Sequence, residues 1–340
     1  MTVPRSSPNV LISSAGRRNY LVSWFREATR RAGGRTVVAD ADPYAPARAD
    51  ADAFAALPPI TSDEYGPAFA QVCAKHEIGL AISVNDHELA HWSTMDRTEI
   101  AAAGTLVLAL DASAQRLAED KLVMARELSS RGVPVPTTVS GADAGGAATD
   151  VVIKSRFGSG SDLIAFSAPT SAADEASRLS ARARDRLNRR VDDPRAALDA
   201  LVVQERKVGQ EYGVDVVNDL DGEFVGVLAR RKIRMRGGET DQAETVDPTR
   251  FVALARALSR TLRHRGLIDC DVIEAGDGSL WLIDVNPRFG GGYPFNHVAG
   301  ADVPSLYLHW LTSTAPASHL LDYAPGVVAS KHVDIAVVAR

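Results

Sequence analysis

Residues 270–292, CDVIEAGDGSLWLIDVNPRFGGG, bring together side chains that could bind a metal ion and phosphate. The pattern predicts two short strands joined by a two-residue type I′ turn at the Asp-Gly pair 277–278. In that register Asp271 lies directly opposite Asp284, and two opposed carboxylates repel each other. Mg²⁺ would remove the repulsion, because it binds a few carboxylate oxygens together with phosphate oxygens. The hairpin therefore predicts a magnesium site.

The same register extends this group at one end of the hairpin. Side chains alternate along a strand, so Asn286 lies on the same face as Asp284, opposite Asp269. Nearer the turn, Ile273 is expected to lie opposite Leu282. The face thus changes from apolar to oxygen-rich, and Asn286 becomes a third candidate metal ligand.

Cations are expected close to these oxygens. Pro287 ends the second strand, and Arg288 projects from its exit. Residues 230–236 contain five cations in seven residues. Beside an acidic cluster, Lys232 and Arg234 are expected to face phosphate or carboxylate groups.

Composition sets limits on the function. The chain has 340 residues, 45% hydrophobic and 24% charged, which is enough for two or three domains. A net charge of −5 argues against nucleic-acid binding. No apolar run reaches membrane-spanning length, and the N-terminus does not resemble a signal peptide. The two cysteines, Cys73 and Cys270, lie far apart in the sequence and indicate reduced thiols in a cytoplasmic protein.

Residues 10–110 alternate between strand and helix patterns, which indicates a Rossmann-like domain with a parallel sheet covered on both faces. Its expected strands are Val10–Ser14, Thr36–Asp40, Leu80–Val84 and Leu106–Leu110. The turn after the first strand reads SSAGRRNY and lacks the G-x-G-x-x-G pattern of dinucleotide-binding enzymes. We therefore interpret this domain as a scaffold, in which Arg17 and Arg18 could hold an anion at a helix start.

A possible zinc motif lies in the same domain. The sequence His87-Glu88-Leu89-Ala90-His91 matches H-E-x-x-H, in which the two histidines bind zinc and the glutamate is a general base. However, Asn85-Asp86 resembles a helix cap directly after a strand, and no third ligand follows at the usual spacing. A helix start at the rim of the sheet is the preferred interpretation, with a zinc peptidase as the alternative.

Further along, Val151–Ser155 and Leu163–Ser167 are expected strands that flank a glycine flap, residues 156–162, whose backbone N–H groups suit phosphate. Residues 171–200 are expected to be helical. An antiparallel sheet is expected to follow, with a second two-residue turn at Asp221-Gly222. Val333–Ala339 is expected to be a terminal strand.

Four motifs in this order resemble the ATP-grasp superfamily, in the branch similar to carbamoyl-phosphate-synthase large-subunit domains and amino-acid ligases of the PylC type. The first is Glu119-Asp120-Lys121 followed by Gly132-Val133-Pro134-Val135-Pro136. The others are Ile153-Lys154 with Gly158-Ser159-Gly160-Ser161, Gln204-Glu205 with Gly209-Gln210-Glu211-Tyr212, and Asp284-Val285-Asn286-Pro287-Arg288. The resemblance covers nearly the whole chain.

The resemblance implies an ATP-grasp fold, mixed α/β and α+β, after an N-terminal Rossmann-like domain. The implied domains are residues 1–112, a small lobe 113–203 and a large lobe 204–340. It also implies a role for each matching residue. Residues implied to bind ATP are Lys121, Lys154, Gly158, Ser159, Gly160, Ser161, Gln204, Glu205, Arg206, Val208 and Glu211. Asp271, Asp284 and Asn286 would hold Mg²⁺, with Mn²⁺ as a substitute, and the implied catalytic residues are Arg288, Lys232 and Arg234.

The expected activity is a Mg-ATP-dependent ligase that phosphorylates a small-molecule carboxylate and joins it to an amine, in a possible homodimer. Chemistry on bicarbonate, as in carbamoyl-phosphate synthesis, and a nucleotide-binding protein without turnover are the alternatives. Two positions depart from the family pattern, because Asp284 stands where Glu is usual and Ser155 where Pro is usual. The residues expected to line the substrate pocket are Arg17, Arg18, Asp86, His87, Glu88, Arg236 and His297.

Overall fold

The computed structural model describes residues 7–158, 163–187, 193–312 and 317–339. Its N-terminal domain contains a five-stranded parallel sheet of order β3-β2-β1-β4-β5. The strands are β1 (Asn9–Ser13), β2 (Thr36–Asp40), β3 (Ala53–Ala56), β4 (Ile78–Ser83) and β5 (Leu106–Val107). The helices are α1 (Asn19–Arg31), α2 (Tyr65–Lys75), α3 (Asp86–Thr94) and α4 (Thr98–Ala102). Every residue of β1 and β4 is buried, as expected for a parallel sheet covered on both faces, and the predicted Rossmann-like architecture is confirmed.

A second, four-stranded antiparallel sheet has the order β6-β9-β7-β8. Its strands are β6 (Thr138–Ser140), β7 (Val151–Ser155), β8 (Ile164–Ser167) and β9 (Leu201–Glu205). The nearby helices are α5 (Ala112–Glu119), α6 (Lys121–Ser130), α7 (Ala172–Leu187) and α8 (Pro194–Asp199). Helix α7 packs on this sheet, whereas α5 and α6 share their apolar core with the third sheet.

The third sheet is antiparallel, with six strands in the order β14-β13-β10-β11-β12-β15. Its strands are β10 (Gly209–Asn218), β11 (Phe224–Arg236), β12 (Glu239–Thr245), β13 (Gly266–Ala275), β14 (Leu280–Asn286) and β15 (Val328–Ser330). Helices α9 (Val252–Leu262), α10 (Tyr293–Val298) and α11 (Val303–Thr312) complete this part of the chain. The expected strand Val333–Ala339 is wrong, because β15 ends at Ser330 and the large apolar side chains beyond it are exposed.

The β13–β14 hairpin differs from its predicted register near the turn. Ala275 N–H donates to Ser279 at 2.9 Å, which encloses three loop residues rather than two. Gly278 occupies the left-handed region at φ +84°, as the last residue of a three-residue loop commonly does. Ile273 therefore pairs with Trp281, and the expected pairing with Leu282 is wrong.

A second irregularity restores the register at the acidic end. Val272 pairs with Leu282, and the next pair is Asp271 with Asp284, so Ile283 is an extra residue in β14. The bulge cancels the longer loop, and Asp269 pairs with Asn286 as predicted. The Asp221-Gly222 turn is likewise a three-residue loop, since Asp219 N–H donates to Glu223.

Candidate active site

The acidic end of the β13–β14 hairpin opens into a cleft of about 470 Å³ between the N-terminal domain and the third sheet. The cleft is lined by both domains, and its lining includes Arg18, Asn85, Asp86, His87, Gly158, Arg230, Lys232, Glu239, Thr240, Asp269, Asp271, Asp284, Asn286, Arg288 and Gly291. The structure thus brings the three predicted metal ligands together with Lys232 and Arg288 in one cavity.

Two lysines neutralise part of the carboxylate charge. Lys232 Nζ donates to Asp271 Oδ1 at 2.7 Å and to Glu211 Oε1 at 2.6 Å. Lys121 Nζ lies 3.4 Å from Asp284 Oδ1 and donates to the Gly158 carbonyl at 2.6 Å. Burial raises the pKa of the Asp271 carboxyl, and the Lys232 ammonium opposes that shift. The site therefore alternates cations and carboxylates, an arrangement that can accept both a divalent cation and phosphate.

Lys154 reaches the same region from the second sheet. Its Nζ donates to the carbonyl of Ile283, the extra residue of the β14 bulge, at 3.1 Å. Burial lowers the pKa of the Lys154 ammonium to about 8, while the Asp284 carboxylate partly opposes the shift. Lys154 is therefore a cation that loses its proton unusually easily and whose charge a bound phosphate would stabilise.

We expect ATP affinity to decrease as the pH rises through about 8, because the free Lys154 ammonium then loses its proton. Bound phosphate raises the pKa of the Lys154 ammonium. Above about pH 8, Lys154 must therefore take up a proton when ATP binds, and the affinity for ATP falls by up to about tenfold per pH unit. Calorimetric titration with ATP at a series of pH values would measure this dependence. Lys154→Arg is the matched variant, since arginine stays charged. The same pH dependence in Lys154→Arg would contradict the assignment.

The N-terminal domain contributes directly to the cleft through the first turn of α3. Asn85 caps this helix by accepting hydrogen bonds from the backbone N–H groups of His87 and Glu88, as predicted. Asp86 then forms a bidentate ion pair with Arg288, at 2.6 Å to Nε and 2.8 Å to Nη2. A bidentate pair fixes the plane of the guanidinium. Arg288 is thereby oriented at the edge of the oxygen cluster, 3.5 Å from Asn286 Oδ1.

Two models of known families match parts of this chain. A family model described as "PylC-like, N-terminal domain" matches residues 10–108. A second, described as "ATP-grasp in the biosynthetic pathway with Ter operon", matches residues 197–330. Residues 197–330 of this chain therefore belong to the ATP-grasp family. No curated protein matches it by sequence.

Solved structures share the ATP-grasp fold across almost the whole chain. Biotin carboxylase from Campylobacter jejuni, in complex with β,γ-ATP, is 15% identical with a TM-score of 0.68, covering 92% of this chain and 73% of that one. L-amino acid ligase from Bacillus licheniformis is 14% identical with a TM-score of 0.68, covering 95% and 78%. N5-carboxyaminoimidazole synthetase from Staphylococcus aureus, complexed with ADP, is 13% identical with a TM-score of 0.66, covering 92% and 79%. At such identities the likeness concerns the fold.

The residues expected to contact adenine lie at the connection between the second and third sheets of the ATP-grasp region. Glu205 Oε1 accepts from Lys207 Nζ at 2.5 Å, and the Lys207 ammonium lies 3.6 Å from the centre of the Trp281 ring. Gln204 is buried and donates to Thr138 Oγ1 at 3.0 Å. Val208 is largely exposed. Trp281, which sequence reasoning did not single out, thus joins the candidate nucleotide site.

The other residues predicted to bind ATP lie in the glycine flap and next to Glu205. In the glycine flap, Gly158 contacts Lys121, whereas Ser159, Gly160 and Ser161 lie outside the described residues. Arg206 stacks on Phe166, with its guanidinium carbon 5.0 Å from the ring centre.

Other cationic candidates are separated from the cleft. Arg234 pairs with Asp241 at 2.7 Å and is absent from the cleft lining. Of the expected pocket residues, Arg18, Asp86 and His87 line the cleft. Arg17 and Arg236 are exposed outside it, and His297 stacks on Trp24 with ring centres 3.7 Å apart.

The H-E-x-x-H sequence has a structural role. Glu88 is buried and accepts hydrogen bonds from Ser13 and Tyr65 at 2.6 Å and from Ser83 at 2.5 Å, so its carboxylate joins α3 to the parallel sheet. Burial raises the pKa of Glu88, and these hydrogen bonds oppose the shift. Within the described ranges, no three His, Cys, Asp or Glu side chains are arranged to hold a metal ion. The expectation that Glu88 lines the substrate pocket is therefore wrong.

We expect His91→Ala to leave ATP turnover largely unchanged, because the His91 ring packs edge-on against Tyr65 and does not line the cleft. Steady-state ADP release and the bound zinc content of both proteins would test this. A zinc-dependent loss of activity would restore the metallopeptidase alternative.

Sequence reasoning missed a buried ionic cluster beneath the cleft. Arg230 donates to Asp215 Oδ2 at 2.6 Å and to Asp269, and Asn296 also donates to Asp215, at 3.0 Å. A side chain at Gly292 would place its Cβ 2.1 Å from Arg230 Nε, so the glycine loop after Arg288 packs directly on the guanidinium. One available signal was a charged residue on an otherwise apolar strand at position 215.

Among the residues that the structure describes, every helix is too short or too polar to cross a membrane.

Proposed function

We propose that this ATP-grasp protein is a Mg-ATP-dependent ligase that activates a substrate carboxylate as an acyl phosphate and joins it to an amine. The observation that carries the proposal is the opposed pair Asp271 and Asp284, with Asn286 beside them, in a cleft that also contains Lys232 and Arg288. Lys121 lies 3.4 Å from the Asp284 carboxylate, and Lys154 donates to the carbonyl of the adjacent Ile283.

The residues present fit Mg²⁺ held together with a nucleotide. Asp271, Asp284 and Asn286 supply hard oxygen ligands, but too few to complete an octahedral site, and Mg²⁺ commonly completes its shell with phosphate oxygens and water. When bound, Mg²⁺ would neutralise charge on the transferred phosphoryl group. A biotin carboxylase domain from Hydrogenobacter thermophilus, 15% identical to this chain, is described in complex with MgADP. We extend the proposal to Mn²⁺ as a substitute.

The proposed reaction has two steps. A carboxylate oxygen attacks the γ-phosphorus of ATP, the bond to the bridging oxygen breaks, and ADP and an acyl phosphate form. The amine nitrogen then attacks the acyl carbon, the C–O bond to phosphate breaks, and inorganic phosphate leaves as the nitrogen loses a proton. Lys121, Lys154 and Lys232 would hold the phosphates, and Arg288 would stabilise the developing oxyanion in a fixed orientation.

We also propose the three-part division at residues 1–112, 113–203 and 204–340 and a cytoplasmic location. Cys73 and Cys270 are free and buried, which suits a reducing compartment. A homodimer is proposed from one neighbour, the Hydrogenobacter domain, which is described as a dimer.

Measuring ADP release with Mg-ATP and a panel of amino acids and small carboxylic acids, singly and in pairs, would test the activity. ADP release that requires one acid and increases with one amine would support the ligase and identify its substrates. Release with bicarbonate instead would favour carboxyphosphate chemistry. Tight ATP binding without turnover in any mixture would contradict the proposal in favour of a nucleotide-binding protein.

A further inference from the structure

The mouth of the cleft contains a carboxylate that the proposed chemistry does not yet use. Glu239 is the first residue of β12, directly after Gly237 and Gly238, which adopt φ values of +56° and +81°. Both glycines line the cleft together with Glu239, so the tip of the β11–β12 hairpin forms one wall. The Glu239 side chain is 52% exposed, and a ligand in the cleft can therefore reach it.

Two cations from distant parts of the chain bind this carboxylate. Arg18, just before α1, lies 3.3 Å from Oε1, and the Lys331 ammonium, just after β15, lies 2.9 Å from Oε2. Burial raises the pKa of Glu239, but the hydrogen bond from Lys331 and the positive charges of Arg18 and Arg288 outweigh it and hold the pKa below its usual value. Glu239 is therefore an ionised cation-binding group.

The Lys331 ammonium lies against the loop that follows the candidate catalytic arginine. A Cβ at Gly291 would lie 3.0 Å from the Glu239 carboxyl and 3.3 Å from Lys331 Nζ, and Gly291 itself lines the cleft. A primary ammonium group thus lies at the edge of the cavity that contains Asp284, Asn286 and Arg288.

We propose that Glu239 is the recognition group of the amine subsite, that its ligand is a primary alkylammonium, and that Lys331 occupies this subsite until the substrate amine replaces it. The inference rests on the proposed ligase function and names the nucleophile class of the same cleft. The bound ammonium has no free lone pair, so it releases one proton to water before its nitrogen attacks the acyl carbon, and the second proton leaves as the amide forms. An incoming ammonium would replace the Lys331 ammonium one for one, so the Glu239 carboxylate stays paired and only the partly exposed Lys331 gives up its partner.

Glu239 is a better partner for a substrate ammonium than the neighbouring Asp86. The Asp86 carboxylate is held by two hydrogen bonds to a guanidinium that is largely buried, and removing it would leave a buried cation. The Glu239–Lys331 pair is more exposed, and exposed pairs change an equilibrium by no more than about fivefold. Displacing Lys331 from Glu239 therefore costs less free energy than displacing Arg288 from Asp86.

Binding of n-butylammonium, which reproduces the lysine side chain, tests the proposal without requiring turnover. Ligand-observed NMR titrations would use the full chain with Mg-ADP, comparing the wild type, Lys331→Ala and the double variant Lys331→Ala/Glu239→Gln. We expect Lys331→Ala to bind n-butylammonium up to about fivefold more tightly than the wild type, and the double variant to lose this binding.

Two controls make the result specific. Glu244→Gln removes another acid of β12, one that pairs with Arg231 outside the cleft lining, and should leave binding unchanged. The neutral analogue n-butanol should not bind. Equal binding by Lys331→Ala and the double variant, or no binding by either, would overturn the proposal and reduce the Glu239–Lys331 pair to a structural tether. Because the readout is binding, a missing ADP release would count against the proposed function alone.

Discussion

Asp284→Asn is expected to reduce Mg-dependent ATP turnover by at least about a hundredfold, since it removes one of two opposed carboxylates at the point where phosphoryl charge must be neutralised. Asp284 lies across the hairpin from Asp271 and 3.4 Å from the Lys121 ammonium, so the substitution changes the charge of the site at constant size. ADP release at saturating ATP over a range of Mg²⁺ concentrations is the measurement.

Asp277→Asn is the matched control, because Asp277 belongs to the same hairpin but lies in its exposed turn. It should retain turnover and the magnesium dependence of the wild type. Asn286→Ala should lose turnover in the same way as Asp284→Asn, with the fold intact by circular dichroism. Full activity in either site variant would refute the assignment of the metal ligands.

Arg230→Met is expected to lower the free energy of unfolding by about 3–5 kcal/mol, the cost of removing one partner from a buried ionic cluster. Arg230 is fully buried between Asp215 and Asp269, which would be left as uncompensated carboxylates beneath the cleft. Urea unfolding followed by circular dichroism would measure the loss. Met keeps much of the volume of the side chain, so lost packing contributes little.

The neighbouring residue provides the control for stability. Arg231 lies one position along β11 and pairs with Glu244, with both side chains partly exposed. Because such exposed pairs contribute about 0–1 kcal/mol, Arg231→Met should barely change the unfolding curve. A similar decrease in the free energy of unfolding in both variants would show that the buried charge cluster around Arg230 stabilises the fold no more than an exposed ion pair does.

The acidic end of the β13–β14 hairpin could be predicted from the sequence because strand pairing across a short loop is local. The prediction was nevertheless right for an incomplete reason. The loop contains three residues rather than two, and the bulge at Ile283 compensates for it one pair before Asp271. The bulge also presents the carbonyl that accepts from Lys154, a residue 129 positions away. No pattern of alternating side chains encodes a contact of that range.

The H-E-x-x-H segment illustrates the same limit. Its spacing is compatible with zinc, and only the packing of α3 on the parallel sheet turns Glu88 toward Ser13 and Ser83. The adjacent Asp86 instead reaches Arg288, 202 positions further along the chain. The first turn of α3, whose sequence matches a zinc motif, therefore forms part of the wall of the cleft between the N-terminal domain and the third sheet.

The amino-acid sequence by itself determined the alternation of strands and helices in the N-terminal domain, the resemblance to the ATP-grasp family and the group of oxygens at the end of one hairpin. Each of these depends on local periodicity or on motifs in a fixed order. Only the tertiary structure decided which charges meet: Lys232 with Asp271, Asp86 with Arg288, and Lys331 with Glu239. Charge pairing depends on how separate elements pack together, and these residues, 39 to 202 positions apart, become neighbours only when the sheets assemble around the cleft.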